Sequence, residues 1–542
     1  MAERNKKKGR IREQIDAFAI AILMAVLMKY FAIEAYQIPT SSMQPTMMGS
    51  KSSGVYDRIL VDKARYLFFE PQRWEIAVFR YPIRIQQSYV KRIAGLPDET
   101  LRIAGGNLYL VHGNDPNDPA QLSPLPRPTG VQEEHWKEIF PARAILHAEQ
   151  KTLGIAFQGL GGDWSEGEGR RLTVKQRSGN ARSSIVYADV ASSGISNRVY
   201  DGYPTWIAQK MIEAGESEPA EPFTHSLHSE QVQDVRAAFD VTPRADLAEL
   251  ETSLRVAPLE GAILEFALVT GEGKGRIVVR SDGKEVESSP AFDAPMSAGR
   301  TVRVRFAHVD DRCIAELDGH RVAELDCTKY KTLSRLLPSD SVPDRGRVTL
   351  RFAVRGGEEV TLDDIKVERD LHYVPTLMST SAGADVIRVP SGHYFMLGDN
   401  TLQSVDSRDW TAITLGMDAE GRLIDPEAHP DLAVRKLRGN LRAVPPGREV
   451  DPDENPVVVQ TDHKIVFTDD LGEVWTLDGE IAMSPSSGHV YDGSTPWVMD
   501  AEHRPWLPRQ SKVQFVPREH IIGRPLLTFW PGFHPFRIGF IR

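Results

Sequence analysis

Apolar and polar positions alternate along this chain in three different ways, and each predicts a different kind of element. The only long apolar run is Ala17-Phe18-Ala19-Ile20-Ala21-Ile22-Leu23-Met24-Ala25-Val26-Leu27-Met28, continued past Lys29 by Tyr30-Phe31-Ala32-Ile33. A bilayer core takes roughly 20 helical residues, which predicts a transmembrane helix over 15–35. The basic cluster Arg4, Lys6, Lys7, Lys8, Arg10 and Arg12 in the tail 1–14 places the N-terminus in the cytoplasm by the positive-inside rule. Everything beyond it is then on the outer side. Short two-period runs follow: Arg58–Val61, Ile76–Phe79, Tyr89–Ile93 and Thr100–Ile103, separated by Gly95-Leu96-Pro97-Asp98 and Gly105-Gly106-Asn107. They predict antiparallel strands.

A third pattern begins near residue 230. Runs at 262–266, 276–280, 302–306, 348–352 and 362–367 alternate between Asp282-Gly283 and Asp318-Gly319 turns, the signature of a two-sheet β sandwich. The Gly271-Glu272-Gly273-Lys274-Gly275 run lacks the spacing and the Ser/Thr of a phosphate loop and reads as a hairpin turn. Residues from about 112 to 205 are rich in Pro, Gly, Asp and Asn with few periodic segments, and the insertion 112–229 is of unclear structure. Strand-like runs return at 457–459 and 464–467.

Length adds that 542 residues exceed a single ordinary core, so two to four domains are expected. Apolar content of 41% and charged content of 26% are those of a globular protein. The net charge of −10 argues against a nucleic-acid-binding body. No His/Cys zinc spacing and no HExxH motif occur, so neither a metal nor a cofactor is implied. Cys313 and Cys327 flank the Asp318-Gly319 turn and admit either a disulfide or two buried thiols.

The chemistry sits in four pieces: Ile38-Pro39-Thr40-Ser41-Ser42-Met43-Gln44-Pro45-Thr46, Tyr89-Val90-Lys91-Arg92, Gly398-Asp399-Asn400, and Ser404-Val405-Asp406-Ser407-Arg408. A serine hydroxyl needs a base to take its proton, and none of the fifteen histidines lies in a triad context. Lysine is no base at its ordinary pKa of about 10.4, but burial in apolar surroundings disfavours the ammonium. Alternation on a strand puts Lys91 on one face with Tyr89 and Ile93, and Arg92 on the other.

In these motifs and their order the chain resembles the type I signal peptidase family, membrane-bound serine/lysine endopeptidases. The resemblance implies Ser42 as nucleophile and Lys91 as general base, with the Ser42 amide and the Thr40 hydroxyl as the oxyanion hole. It implies that Ser404 orients the Lys91 amine and that Asp406 and Arg408 form an ion pair holding their loop. Tyr36, Ile38, Met43, Met47, Ile59, Val78 and Val90 would line small substrate pockets suited to Ala-x-Ala ends. Relatives commonly have Arg after the Gly-Asp-Asn motif, where this chain has Thr401-Leu402. The aromatic tail 529–536 suits a membrane interface.

The expected architecture is mainly β. A catalytic domain is split over 36–111, 386–411 and 512–542, with an insertion at 112–229, a concanavalin-like jelly roll at 230–370 and a second insertion at 412–511. The expected partners are exported preproteins and the lipid bilayer at the cytoplasmic membrane, and a glycan or protein for the jelly roll. The alternative is a diverged membrane-anchored surface protein that binds glycan or protein through that domain and has lost catalysis. A self-cleaving repressor-type Ser/Lys protease fits less well, because it explains neither the apolar run nor the 398–408 block.

Overall fold

The computed structural model describes residues 2–44, 46–50, 55–116, 118–140, 157–167, 171–176, 181–187, 231–257, 262–330, 347–373, 386–401, 404–433, 435–439, 442–443, 457–461, 464–482, 497–499, 504–506, 508–530 and 538–541. Among them the chain is mainly β and divides into two compact units. The first holds residues 1–98, 389–398 and 405–542, and the second 99–388 and 399–404.

The first unit opens with helix α1 (Ala2–Leu27), which passes through one π-turn (Met28–Ala32) into strand β1 (Ile33–Gln37). Of the helix expected over 15–35, the structure keeps 15–27 as α-helix and a π-turn to Ala32, and changes to strand at Ile33. Among the described residues no helix is long and apolar enough to cross a membrane. The basic tail is itself helical, and the uninterrupted apolar stretch Ala17–Leu27 covers only about 17 Å at 1.5 Å per residue, against roughly 30 Å of hydrocarbon. Residues 33–35, which the span needed, are instead paired with Leu60, Val61 and Asp62. Ile15, Phe18, Leu23 and Leu27 are exposed.

Six further strands complete the main sheet: β2 (Arg58–Asp62), β3 (Ile76–Tyr81), β4 (Arg84–Gly95), β5 (His393–Leu397), β6 (Phe515–Pro517) and β7 (Ile521–Trp530). Their order is β1-β2-β7-β3-β4-β5-β6, every pair antiparallel. Strands from three distant stretches of sequence therefore interleave, and β7 is an inner strand. Gly523 is required there: a Cβ on it would lie 2.6 Å from the Asp62 carbonyl oxygen. One apolar cluster gathers Ala77, Phe79, Tyr81, Ile93, Met396 and Trp410. A separate one, in 413–498, gathers Ile413, Leu415, Leu437, Phe467 and Val498. Of the aromatic tail, Trp530 is exposed, and residues 531–536 lie outside the described residues.

The second unit is built on two antiparallel sheets that share one apolar core. In the first sheet, Glu359–Arg369, Val235–Pro243, Val302–Val309 and Arg312–Leu317 are successive neighbours. In the second, Arg347–Gly356, Leu247–Ala257, Leu264–Gly271 and Lys274–Ser281 are. The insertion 112–229, whose structure the sequence leaves unclear, supplies strands to both: Lys137–Phe140, Asp163–Glu166 and Leu172–Lys175 to the first, Phe157–Gly161 and Arg182–Tyr187 to the second. Its polar runs conceal them because outer sandwich strands bury only alternate residues. Glu272-Gly273, Asp282-Gly283 and Asp318-Gly319 all have positive φ at both positions, the two-residue hairpin geometry that favours glycine. Cys313 and Cys327 are buried free thiols with their sulfurs 3.5 Å apart.

Phe239 of one sheet meets Phe352 of the other edge to face, at 5.1 Å between ring centres, and both are fully buried. Phe352→Ala removes this contact and leaves a cavity, which typically costs about 3–5 kcal/mol. A lowered urea midpoint, followed by far-UV circular dichroism, is the expected result.

Candidate active site

Ser42 lies in a single 3-10 turn (Ser41–Met43) that follows β1. The turn is tied down from behind. Buried Asp57 accepts the Met48 amide on Oδ2 at 2.7 Å, and its backbone bonds Ile38 and Met48 at 2.9 and 2.8 Å. The Met47 amide donates to the Met43 carbonyl (2.9 Å) and Gln44 Nε2 to the Gly49 carbonyl (2.9 Å). Gly49 packs so tightly that a Cβ there would lie 2.5 Å from the Ile38 oxygen and 2.6 Å from the Thr40 oxygen. Neither Asp57 nor Gly49 stood out in the sequence, because a lone Asp or Gly between short strands carries no motif.

Lys91 comes from β4. The register sets Lys91 opposite Ala77 and Tyr89 opposite Phe79 on β3. The Tyr81 and Tyr89 rings stack at 4.2 Å with 9° between their planes, and Trp410 packs against them. Lys91 is only 3% exposed, and its Nζ lies 2.5 Å from Ser42 Oγ. Two residues separated by some fifty positions are thus in direct hydrogen-bond contact. Thr40 Oγ1 is 3.4 Å from Ser42 Oγ.

Tyr36, Ile38, Met43, Met47, Ile59, Val78 and Val90 all fall in one apolar cluster with Val61 and Ile76. Ile38, Met43, Met47, Ile59 and Val78 are buried there as packed core, whereas Tyr36 and Val90 are part-exposed. The Tyr36 hydroxyl donates to Glu34 Oε2 (2.9 Å), which also receives Lys63 Nζ (3.2 Å). Burial, then the Glu34 carboxylate, raises the Tyr36 phenol well above its ordinary value.

Two segments of β4 have different edges. Arg92–Gly95 pair with β5 on the side away from β3. Ile85 and Gln86 instead meet the 470–471 turn, through Ile85 N to Asp470 O and Gln86 Nε2 to Leu471 O. For Gln87–Val90 no strand pairs on that side among the described residues.

Asp406 and Arg408 form a two-armed ion pair, Nε to Oδ1 at 2.7 Å and Nη2 to Oδ2 at 2.8 Å, with both side chains fully buried. The Gly398 amide also donates to Asp406 Oδ2 (3.0 Å), and Ser407 Oγ accepts the Met396 amide (2.9 Å). Asp406 therefore ties the end of β5 to the turn that follows. Ser404 is buried in the second unit, its amide donating to the Asn400 carbonyl (2.8 Å). Thr401 is buried, and Leu402 lies outside the described residues. Asp399 faces His135 Nε2 at 3.5 Å, both fully buried, a pairing that no spacing in the sequence suggested.

A family model described as signal peptidase, peptidase S26, matches residues 11–132 and 349–421. The probable signal peptidase I-1 of Synechocystis sp. is 33% identical over 106 residues, covering 18% of this chain and 51% of its own. Signal peptidase I of Leptolyngbya laminosa is 32% identical over 116 residues (20% and 54%), and that of Pseudomonas fluorescens 24% over 193 (34% and 66%). The chain spans about half the length of the curated relatives it matches. Among solved structures, the carbohydrate-binding module CBM66 from Bacillus subtilis is 11% identical over 39% of this chain and 95% of its own, with a TM-score of 0.23, too low to bear on the fold. The signal peptidase match takes in the Ser42 turn, Lys91 and the Asp406–Arg408 pair, and in those segments the chain is similar to type I signal peptidases.

Proposed function

We propose that the chain is a serine endopeptidase that removes signal peptides from exported preproteins, with Ser42 as nucleophile and Lys91 as general base. The observation that carries this reading is the 2.5 Å approach of Lys91 Nζ to Ser42 Oγ by a lysine that is almost wholly buried. Withdrawal from water favours the neutral amine, the form that takes a proton from the hydroxyl. Attack on the scissile carbonyl forms an acyl-enzyme and releases the mature protein's amine, and water then frees the signal peptide. The Ser42 amide and the Thr40 hydroxyl hold the developing oxyanion. The Asp406–Arg408 pair keeps the supporting loop in register.

The substrate adds in extended form along Gln87–Val90, where backbone groups give affinity and side-chain pockets give specificity. The apolar cluster from Tyr36 to Val90 lines the path of that strand, and its residues take small side chains such as those of Ala-x-Ala ends. The exposed apolar residues between Ile15 and Phe31 anchor the protein in the cytoplasmic membrane, with the catalytic residues on its outer side near emerging preproteins. In the second unit, the paired sheets form a concanavalin-like jelly roll that docks a glycan or a protein partner.

Detergent-solubilised protein is expected to cut a preprotein after its Ala-x-Ala end, and both Ser42→Ala and Lys91→Met to lower kcat by at least about 10³-fold. Equal cleavage by all three proteins would remove the dyad assignment. Thr40→Val, which keeps the shape and deletes the hydroxyl, should lower kcat by about 10²–10³-fold with KM little changed. Recovery in Thr40→Ser would tie that loss to the hydroxyl, whereas a loss shared by Thr40→Ser would point to packing instead.

A further inference from the structure

One group of titratable side chains in the second unit has no part in peptide cleavage. The sheet register places Val235 opposite Arg369 on one side and His308 on the other. The residues beside these positions, Asp234, Asp310 and Asp370, therefore meet at one end of the first sheet, although the chain separates them widely. They are 4%, 3% and 0% exposed, and one carboxylate oxygen from each lies within 4.8 Å of the other two.

Two of the three are held from outside. Asp234 Oδ2 accepts Asn107 Nδ2 (2.5 Å) and the Asp310 amide (3.3 Å), while His308 Nδ1 lies 3.3 Å from its Oδ1. Asp370 accepts Arg127 on Oδ2 and Gln132 Nε2 on Oδ1 (2.8 Å). Asp310 is different. Among the described residues no cation pairs with its side chain, and its buried Oδ2 has no hydrogen-bond partner. A buried carboxylate oxygen without a donor is costly, so the fold has placed an acceptor here that its own side chains do not satisfy. Burial above all, and then the Asp370 and Asp234 carboxylates, push the Asp310 carboxyl well up, against the pull of Arg127.

We propose that Asp234, Asp310 and Asp370 form a binding site for one hard divalent cation of calcium's size. Carboxylate oxygens are the ligands such ions take, at about 2.3–2.6 Å for Ca²⁺ and about 2.0–2.1 Å for Mg²⁺. Two ligands of one calcium ion are at most roughly 4.6–5.2 Å apart, a limit the three oxygens meet, all being within 4.8 Å of one another, whereas the corresponding limit for Mg²⁺ is roughly 4.0–4.2 Å. Each carboxylate offers about four lone-pair positions. The bonds from Asn107, Arg127 and Gln132 orient the outer ones and leave others for the ion, as outer-shell partners do around metal ligands. The ion would tie together the ends of three neighbouring strands.

The test uses the full-length protein in detergent after chelator dialysis, and none of its readouts depends on peptidase activity. Calorimetric titration with Ca²⁺ should show one equivalent per chain, and terbium luminescence excited through nearby Tyr109 should be displaced by Ca²⁺. Saturating Ca²⁺ should raise the melting temperature. Asp310→Asn, nearly isosteric and one charge poorer, should weaken binding at least tenfold and lose the thermal shift. Asp311→Asn, next to the triad but outside it, should bind as wild type. Absence of binding by the wild type at millimolar Ca²⁺ would overturn the proposal. Undiminished binding by Asp310→Asn would also overturn it, and would make the orphan oxygen part of a protonated carboxyl.

Discussion

The candidate site depends on hiding an amine. Lys91 reaches Ser42 only because β4 carries it into a region where almost none of its side chain touches water. Such burial is unfavourable for the charged form, so the surrounding sheet has to hold it there. Tyr89, two residues before Lys91 on the same strand face, stacks on Tyr81 and packs with the Trp410 indole. The Ser42 turn is pinned by Asp57 and pressed against Gly49. Remove the register between β3 and β4, and the lysine returns to solvent.

That register is assembled from remote stretches of sequence. β5 joins β4 after an insertion of nearly three hundred residues, and its far end is fixed by Asp406, whose carboxylate holds both the Gly398 amide and the Arg408 guanidinium. A buried ion pair of this kind is weak evidence for stability, but breaking it leaves an uncompensated charge. Its value here is positional. It converts the chain's return from the second unit into a fixed turn.

Much of this was legible without coordinates where local chemistry decides the structure. The strands at 58–62 and 76–81, the glycine-containing hairpins at 272–273, 282–283 and 318–319, and the facing of Lys91 with Tyr89 all follow from period-two alternation or from φ > 0. The end of the long apolar run was misplaced, because pairing of Ile33 with Asp62 claims residues that hydropathy alone assigns to a helix. The strands within 112–229 were missed because a half-buried outer strand among prolines and glycines barely alternates. His135 and the Asp234–Asp310–Asp370 group were invisible for a different reason. Their partners lie far along the chain and meet only through the fold, and no spacing rule reaches that far.

The inner position of β7 has a consequence for how the protein is made. β2 and β3 lie on either side of it, and neither can find its final neighbour until residues 521–530 exist. Closing so long a loop is slow relative to local pairing, and the unpaired edges of β2 and β3 are open to wrong partners meanwhile. Synthesis is therefore also a timer. Ser42 and Lys91 precede the second unit and the 412–511 segment, yet the sheet that positions them closes only after both have been made.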